Sequence, residues 1–391
     1  MTHFLFTVMP MFVILFWLIL FCIDEKKNKA KRFLIFFLFI TLLNYTIHWF
    51  YFNHNYKIYL LLDSIWVFTS LSIYPLYYYY IRLLTIDVKI DYKWSWILIP
   101  AFMLSLFSAI IYWMMSTQEL EIFNNEILYH NRAQSSNYTT LIRLQILRME
   151  LFKVVYAIGV FLTVIYGLRL LKKFNEKVFA FYSNVHHREL YTIKLILIFL
   201  MITAIISMIS STIGKSCFAS NTSLLAILSF THSIALFGIS YAGYKQSFTI
   251  NDLTKDQFQS IDENYQVEDD KNDLYVRNYN ELYKSMEYLL KSEQIFKDPD
   301  LRLNDLALKL GTNRTYASQL IHIKANSNFC DYINEHRITY AKNMLSSSEE
   351  NELTIEEISF KSGFSSQSSF YRVFMKMEGI SPARYRKKLS N

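Results

Sequence analysis

The sequence is poor in two residue types on which many functional sites depend. Of its 391 residues, only 8 are glycine and 3 are cysteine. Cys22 lies in an apolar run, Cys217 in a connection and Cys330 near the C-terminus, so no pair suggests a disulfide framework or a metal cluster. So few glycines leave little room for a phosphate-cradling loop, and no zinc-binding His-Glu-x-x-His sequence occurs. The sequence therefore predicts no cofactor and no enzymatic activity.

Apolar residues, by contrast, are abundant. They make up 52% of the chain and aromatic residues 17%, which is high for a soluble protein. A helix needs about 20 apolar residues to cross a bilayer. Seven stretches meet this length: residues 4–23, 33–52, 58–84, 96–115, 151–171, 193–213 and 224–244. We therefore expect an all-α fold in which residues 1–245 form a bundle of seven transmembrane helices.

The distribution of cations predicts the orientation of this bundle. The first apolar stretch lacks the basic start of a cleaved signal, and a cation cluster follows it instead. This cluster contains Lys26, Lys27, Lys29, Lys31 and Arg32. Cation-rich connections stay cytoplasmic, so the N-terminus should lie outside and, after seven crossings, the C-terminus inside. The three connections that should then be external each carry fewer cations than this cluster. They contain Lys57 in the first, Arg132, Arg143 and Arg148 in the second, and Lys215 in the third.

Polar residues within the predicted spans concentrate in their outer halves. Charged and imidazole groups are costly in lipid and usually face a bundle interior or water. We therefore consider an outward-opening pocket in which His48 and Asp63 pair and a small extracytoplasmic ligand binds. Its candidate residues are His48, Asp63, Trp66, Ser210 and His232. The alternative is that these side chains are interfacial anchors and hydrogen bonds between helices.

Near the C-terminus, the pattern predicts two short helices separated by a glycine. Thr354 and Glu357 form a capping box, so a helix should run from Ile355 to about Ser362 and end at Gly363. Ser365 is the expected N-cap of the next helix. An apolar stripe at helical spacing lies on that helix: Phe370, Val373, Phe374 and Met377. Its other face is polar and basic, which suits a reader of the DNA major groove, although an ordinary helical hairpin has a similar pattern.

The same plan occurs once more upstream. A helix through Leu303, Leu306 and Leu310 is followed by Gly311, by an N-cap at Asn313, and by a helix from Arg314 to about Ile321. Two such pairs on one chain are much less easily explained by chance than one.

These residues resemble the DNA-binding domain of the AraC family of bacterial transcription regulators. The resemblance covers residues 284–389, the last quarter of the chain. Its landmarks are Asp298, Pro299, Leu306, Ala307, Tyr316, Ser318, Phe329, Tyr332, Ile333, Arg337, Ile338, Ala341, Leu345, Ser362, Gly363, Phe364, Ser369, Phe370, Phe374, Gly379, Ser381, Pro382, Tyr385 and Arg386. It implies two helix-turn-helix units, spaced by a linker helix from Phe329 to about Leu345, that bind adjacent major grooves. Arg302 departs from the family pattern, which has a Ser or Thr cap there, so fraying of the following helix is expected.

The resemblance also assigns roles to individual positions. Its base-reading residues fall on Arg314, Thr315, Ser318, Gln319, Gln367, Ser368, Ser369 and Arg372. Nearby cations are candidates for phosphate contacts: Lys376, Arg384, Arg386, Lys387 and Lys388. Residues 246–280 are polar and acidic, which is typical of a largely disordered linker, although part of it could form a helix that pairs two protomers.

Together these patterns predict a one-component transcription factor of the bacterial cytoplasmic membrane. Residues 1–245 would sense a signal, residues 246–280 would form the cytoplasmic linker, and residues 281–391 would bind double-stranded promoter DNA. The lipid bilayer, a small ligand and a second copy of the chain are the other expected partners. Two alternatives are that proteolysis releases the DNA-binding domain from a simple anchor, and that the bundle is a transporter or membrane enzyme.

Overall fold

The computed structural model describes residues 2–24, 28–129, 138–185, 188, 190–213, 217–218, 221–262, 279–346 and 353–389. Every regular element in these residues is a helix, which confirms the predicted all-α class. The chain divides into two units. The N-terminal unit comprises Met1–Lys172 and Leu190–Ile250, and the C-terminal unit comprises Lys173–Glu189 and Asn251–Asn391. The loop before Leu190, which the sequence grouped with the seven apolar helices, thus clusters with the C-terminal unit.

Seven helices of the described residues are long and apolar enough to cross a membrane. They belong to the elements α1 (Thr2–Ile23), α2 (Lys29–Phe52), α3 (Tyr56–Thr85), α4 (Ile99–Met114), α6 (Thr140–Phe181), α7 (Tyr191–Ile213) and α8 (Thr222–Lys245). Within the N-terminal unit, α2 packs along α3 and α1 packs along α8. A polar contact joins the first of these pairs, since Asn44 Nδ2 donates to Thr69 Oγ1 at 3.0 Å and to Ser70 Oγ at 2.6 Å.

The connection between α4 and α6 differs from the long external loop that the sequence predicted. Ser116 caps a short helix, α5 (Thr117–Ile122), which is followed by a π-helical turn at Phe123–Tyr129. The helix α6 then begins at Thr140, well before the predicted span at residue 151, and continues for 42 residues. Arg143 and Arg148, expected in a loop, therefore lie within this helix.

The C-terminal unit contains eight α-helices and a short 3₁₀ helix (Ile295–Lys297) in its described residues. The α-helices are α9 (Ile250–Asp262), α10 (Tyr279–Lys291), α11 (Leu303–Lys309), α12 (Arg314–Ala325), α13 (Phe329–Ser346), α14 (Ile355–Lys361), α15 (Gln367–Glu378) and α16 (Pro382–Leu389). The helix α9 forms inside the linker segment that composition suggested to be mostly disordered. Residues 263–278 of that linker lie outside the described residues.

Two hydrophobic cores build the C-terminal unit, and α13 contributes to both. Its first half places Phe329, Tyr332 and Ile333 in a core with α10, α11 and α12. Its second half places Ile338, Ala341, Met344 and Leu345 in a core with α14, α15 and α16. The linker helix is therefore the shared structural element that fixes the positions of the two helix pairs.

Candidate nucleic-acid interface

The second helix pair consists of α14 and α15, and its first cap forms as predicted. The Thr354 hydroxyl accepts from the Glu357 amide at 3.1 Å, and the Glu357 carboxylate accepts from the Thr354 amide at 2.7 Å. These hydrogen bonds stabilise the ionised carboxylate and so lower the pKa of Glu357. The prediction that Ser365 caps α15 is wrong by one residue. Ser366 is the N-cap, because its hydroxyl accepts from the Ser369 amide at 3.3 Å.

The helix α15 has one face in the core and one face outside it. Phe370 and Phe374 are fully buried, as their spacing predicted, whereas Met377 at the end of the same stripe is 36% exposed. Four proposed DNA-contacting side chains are exposed on the other face: Gln367, Ser368, Arg372 and Lys376. Ser369 is only 4% exposed, and its hydroxyl accepts from the Ser366 hydroxyl. Ser369 thus holds the start of the helix in place in this structure.

The first helix pair consists of α11 and α12. At its start, the Arg302 amide donates to the Asp305 carboxylate at 2.7 Å, which is the half of a capping box that needs no Ser or Thr at the N-cap. Asn313 caps α12 as predicted, accepting from the Tyr316 amide at 3.0 Å. The helix continues to Ala325, beyond the predicted end. Among the proposed base-reading residues of α12, Thr315 and Gln319 are exposed, and Arg314 and Ser318 are half-buried.

A buried arginine ties the linker helix α13 to the turn at residues 296–298. Arg337, on α13, has no exposed surface. It donates through Nε to the Phe296 carbonyl and through Nη2 to the Asp298 carbonyl, both at 2.7 Å. Burial lowers its pKa to about 10, so the guanidinium stays protonated at neutral pH. The sequence identified Arg337 as a landmark of the linker helix, but nothing in its spacing indicated which carbonyls it would bind.

The cations proposed to contact phosphate differ in their present partners. Lys376 pairs with Asp331 at 2.9 Å across two exposed side chains. Arg384, Lys387 and Lys388 are exposed on α16, and Arg386 is half-buried. An exposed ion pair contributes little stability, so Lys376 can exchange Asp331 for a phosphate at small cost.

The N-terminal unit contains a cavity of about 160 Å³. Four of the five predicted pocket residues line it: His48, Trp66, Ser210 and His232. The His48 ring stacks on Trp66 with 5.3 Å between centroids. His232 Nδ1 lies 2.7 Å from the Leu228 carbonyl, which can only accept, so Nδ1 carries the proton. Its Nε2 then accepts from the Ser207 hydroxyl at 2.9 Å.

The predicted pairing of His48 with Asp63 is wrong. Asp63 instead lines a neighbouring cavity of about 50 Å³ and pairs with Arg148 at 2.8 Å. The Tyr59 and Tyr112 hydroxyls donate to the same carboxylate at 2.7 and 2.9 Å. Hydropathy alone places Arg148 in an external loop, away from Asp63. Only the true start of α6 brings this arginine into the bundle.

Comparison with known proteins identifies the C-terminal helices. Residues 306–388 match a family described as a helix-turn-helix domain. The Msm operon regulatory protein of Streptococcus mutans is 34% identical over 91 residues, which are 23% of this chain and 32% of that protein. The melibiose operon regulatory protein of Escherichia coli is 33% identical over 90 residues, which are 23% of this chain and 29% of that protein.

A third relative is an uncharacterized HTH-type transcriptional regulator of Bacillus subtilis, 29% identical over 89 residues, 23% of this chain and 11% of that protein. The matched segment thus spans about a third of these relatives or less. No solved structure matches the chain. The C-terminal unit therefore contains an AraC-type helix-turn-helix domain, and the resemblance inferred from its motifs is confirmed.

Proposed function

We propose that this protein is a membrane-embedded transcription regulator that reads promoter DNA through two helix-turn-helix units. The observation that carries the proposal is the pair of capped helices, α12 and α15, attached to one rigid linker helix. Each presents exposed polar or basic side chains at its N-terminal half, the part of a recognition helix that contacts base edges in the major groove. The match of residues 306–388 to a helix-turn-helix family supports the same function.

In this proposal, base edges are read by Arg314, Thr315, Ser318 and Gln319 of the first helix pair and by Gln367, Ser368 and Arg372 of the second. Ser369, being buried, would position α15 rather than touch a base. Phosphates are bound by Lys376, Arg384, Arg386, Lys387 and Lys388. Contacts of this second kind release counterions, so we expect affinity to fall steeply as salt concentration rises.

The seven apolar helices would anchor the protein in the cytoplasmic membrane and sense the signal. A buried serine that lines the larger cavity supports the proposal that a ligand binds there. Ser229 is 5% exposed and lines this cavity, and its hydroxyl has no hydrogen-bond partner among the described residues. A buried polar group usually has a partner, and a bound small molecule with an acceptor or donor at that point would supply one. His232, Ser207 and Lys153 line the same cavity and add polar groups for recognition.

Arg372→Ala tests the proposed base reading. Arg372 is exposed on α15, and a bidentate arginine contact to a base is worth about 1–3 kcal/mol of discrimination. We therefore expect this variant to bind its selected duplex about 5- to 150-fold more weakly and to lose preference at one base position. The measurement is a fluorescence-anisotropy titration of full-length protein in nanodiscs, with a duplex selected from a random library.

Lys284→Ala is the matched control, since it removes one exposed cation from α10, outside both helix pairs. It should leave affinity for the selected duplex nearly unchanged. If Arg372→Ala weakens selected and random duplexes equally, Arg372 contacts the DNA backbone and the base-reading assignment is wrong.

The cellular role is tested by genome-wide crosslinking of tagged full-length protein, in parallel with a variant that lacks residues 1–245. We expect discrete promoter sites for the full-length protein, and sites that no longer respond to the signal for the truncated variant. A reporter fused after Asn391 should be active only in the cytoplasm. An extracytoplasmic reporter, or the absence of discrete sites for both proteins, would overturn the proposed function.

A further inference from the structure

A short loop segment is bound to the surface of the C-terminal unit. Residues 181–185, which we term the docked segment, follow directly from the end of α6. Tyr182 pairs with Arg302 in an isolated antiparallel bridge, and the Ser183 amide donates to the Leu301 carbonyl at 3.2 Å. Phe181, Tyr182 and Ser183 are at most 2% exposed. The docked segment therefore lies in a built site rather than loosely against a surface.

Ser183 makes the largest number of polar contacts in the docked segment. Its hydroxyl donates to the Leu301 carbonyl at 2.6 Å and accepts from Arg337 Nη2 at 3.0 Å. Its carbonyl accepts from Arg337 Nη1 at 3.2 Å and from the Cys330 thiol at 3.4 Å. Arg337 thus binds the docked segment with the same guanidinium that binds the Phe296 and Asp298 carbonyls. The docked segment is recognised by specific groups of the linker helix.

The docked segment also contacts the N-terminal ends of both proposed recognition helices. The Arg314 guanidinium, at the start of α12, lies 6.0 Å from the centre of the Phe181 ring. The Asn184 side chain donates to the hydroxyl of Ser365, which immediately precedes the N-cap of α15. The docked segment therefore lies beside the groups that would approach a duplex.

We propose that the docked segment is a built-in competitor of DNA, so that its release from the C-terminal unit switches promoter binding on. The inference rests on the proposed function and adds the regulation of the same site. A recognition helix enters the major groove by its N-terminal end, and in this structure both such ends carry contacts to residues 181–185. Arg314 lies at cation–π distance from the Phe181 ring, an interaction that a contact to a base edge would replace.

The strength of the inhibition follows from the population of released molecules. Apparent affinity for DNA is reduced by the fraction of the protein that is free to bind. A docked segment that is released in one molecule in ten would weaken binding about 10-fold, and a ligand that favours release would restore that factor.

The helix α6 provides a route for such a signal. It supplies Phe152, Lys153 and Tyr156 to the larger cavity of the N-terminal unit, and the docked segment begins at its last residue, Phe181. A ligand that binds one arrangement of α6 better than another shifts the population toward that arrangement. The helix that contributes these side chains to the cavity is therefore the helix that ends at the docked segment.

The test replaces Ser183 in the full-length protein, in nanodiscs and in a Cys22→Ser/Cys217→Ser background that leaves Cys330 as its single thiol. Ser183→Trp cannot fit a site that is 1% exposed, and Ser183→Ala removes only the hydroxyl contacts. Release is measured in the absence of DNA as the rate of maleimide labelling of Cys330, which is 2% exposed. Burial also raises the pKa of this thiol to about 12, so release should accelerate labelling by two effects.

We expect labelling to become faster from wild type to Ser183→Ala to Ser183→Trp, and affinity for the selected duplex to rise in the same order, by up to about 10-fold. Lys177→Trp is the control, because it places the same ring on an exposed position of α6 and removes a cation, which cannot by itself tighten DNA binding. Hydrogen exchange in α13 verifies that the C-terminal unit is folded in each variant.

Faster labelling with unchanged or weaker DNA affinity would overturn the competition. Equal labelling in all variants would overturn the docking itself. Failure of the proposed function gives a different result, namely that neither the wild type nor any variant binds a duplex selected from the random library.

Discussion

Gly363→Ala is expected to be among the most damaging single substitutions in the C-terminal unit. Gly363 has φ +89°, a left-handed conformation that costs an L-residue about 1–2 kcal/mol. A β-carbon there would lie 2.4 Å from the Phe296 carbonyl oxygen and 2.8 Å from the Lys297 α-carbon. These are backbone atoms that cannot rotate away, so overpacking adds about 1–3 kcal/mol. The expected loss in free energy of unfolding is thus roughly 2–5 kcal/mol.

Two other glycines provide matched controls for this substitution. Gly311 and Gly379 have φ values of +64° and +72°, but a β-carbon at either meets no atom within 4 Å. Gly311→Ala and Gly379→Ala should each cost only the conformational term of about 1–2 kcal/mol. Hydrogen exchange of α13, α14 and α15 in the full-length protein measures all three variants. Equal losses would show that the close approach at Gly363 relaxes without cost.

Asp63→Ala is expected to have a comparable effect in the N-terminal unit. Asp63 and Arg148 have side chains only 1% and 3% exposed, and they form a salt bridge at 2.8 Å. Removal of the carboxylate leaves a buried, uncompensated guanidinium, which typically costs about 3–5 kcal/mol. The apparent melting temperature of the purified protein in detergent, followed by fluorescence-detected size-exclusion chromatography, should fall accordingly.

A double replacement separates the ion pair from simple loss of packing. Asp63→Leu/Arg148→Met removes both charges and keeps the apolar volume, so it should recover much of the lost stability. Glu150→Ala is the control, and Glu150 lies on α6, the helix that carries Arg148. Glu150 is 62% exposed in its pair with Lys153, and an exposed pair is worth about 0–1 kcal/mol. A double variant no more stable than Asp63→Ala would show that the pair is not the cause of the loss.

Local patterns in the sequence predicted several helix caps of the C-terminal unit, although α12 continues past its predicted end to Ala325. The Thr354 capping box, the Asn313 cap and the glycines after α11 and α14 depend on atoms only a few residues apart, so sequence spacing determines them. The error at the start of α15 has the same origin. Two adjacent serines, Ser365 and Ser366, are equivalent by composition, and only the direction of the chain after Phe364 decides which of them accepts the Ser369 amide.

Local spacing in the sequence does not predict contacts between residues that are far apart along the chain. The Asp63–Arg148 pair depends on how far α6 extends before the predicted span. Hydropathy does not show that this earlier segment, which carries Arg143, Arg148 and Glu150 among apolar residues, belongs to the same helix. The docked segment likewise has no signal of its own, since residues 181–185 resemble an ordinary loop. What distinguishes them is Arg337, whose donors are directed at the Ser183 carbonyl and hydroxyl. Four of the five candidate pocket residues, which hydropathy placed in the outer halves of their spans, line one cavity in the structure.

The 42 residues of α6 contain no proline, and a helix without such an interruption bends only gently. A rotation or translation at one end of such a helix is therefore transmitted to its other end. With 3.6 residues per turn, each residue added to the helix would rotate its far end by about 100°. In the proposed regulation, one residue added between Tyr156 and Phe181 would therefore turn the start of the docked segment by this angle about the helix axis.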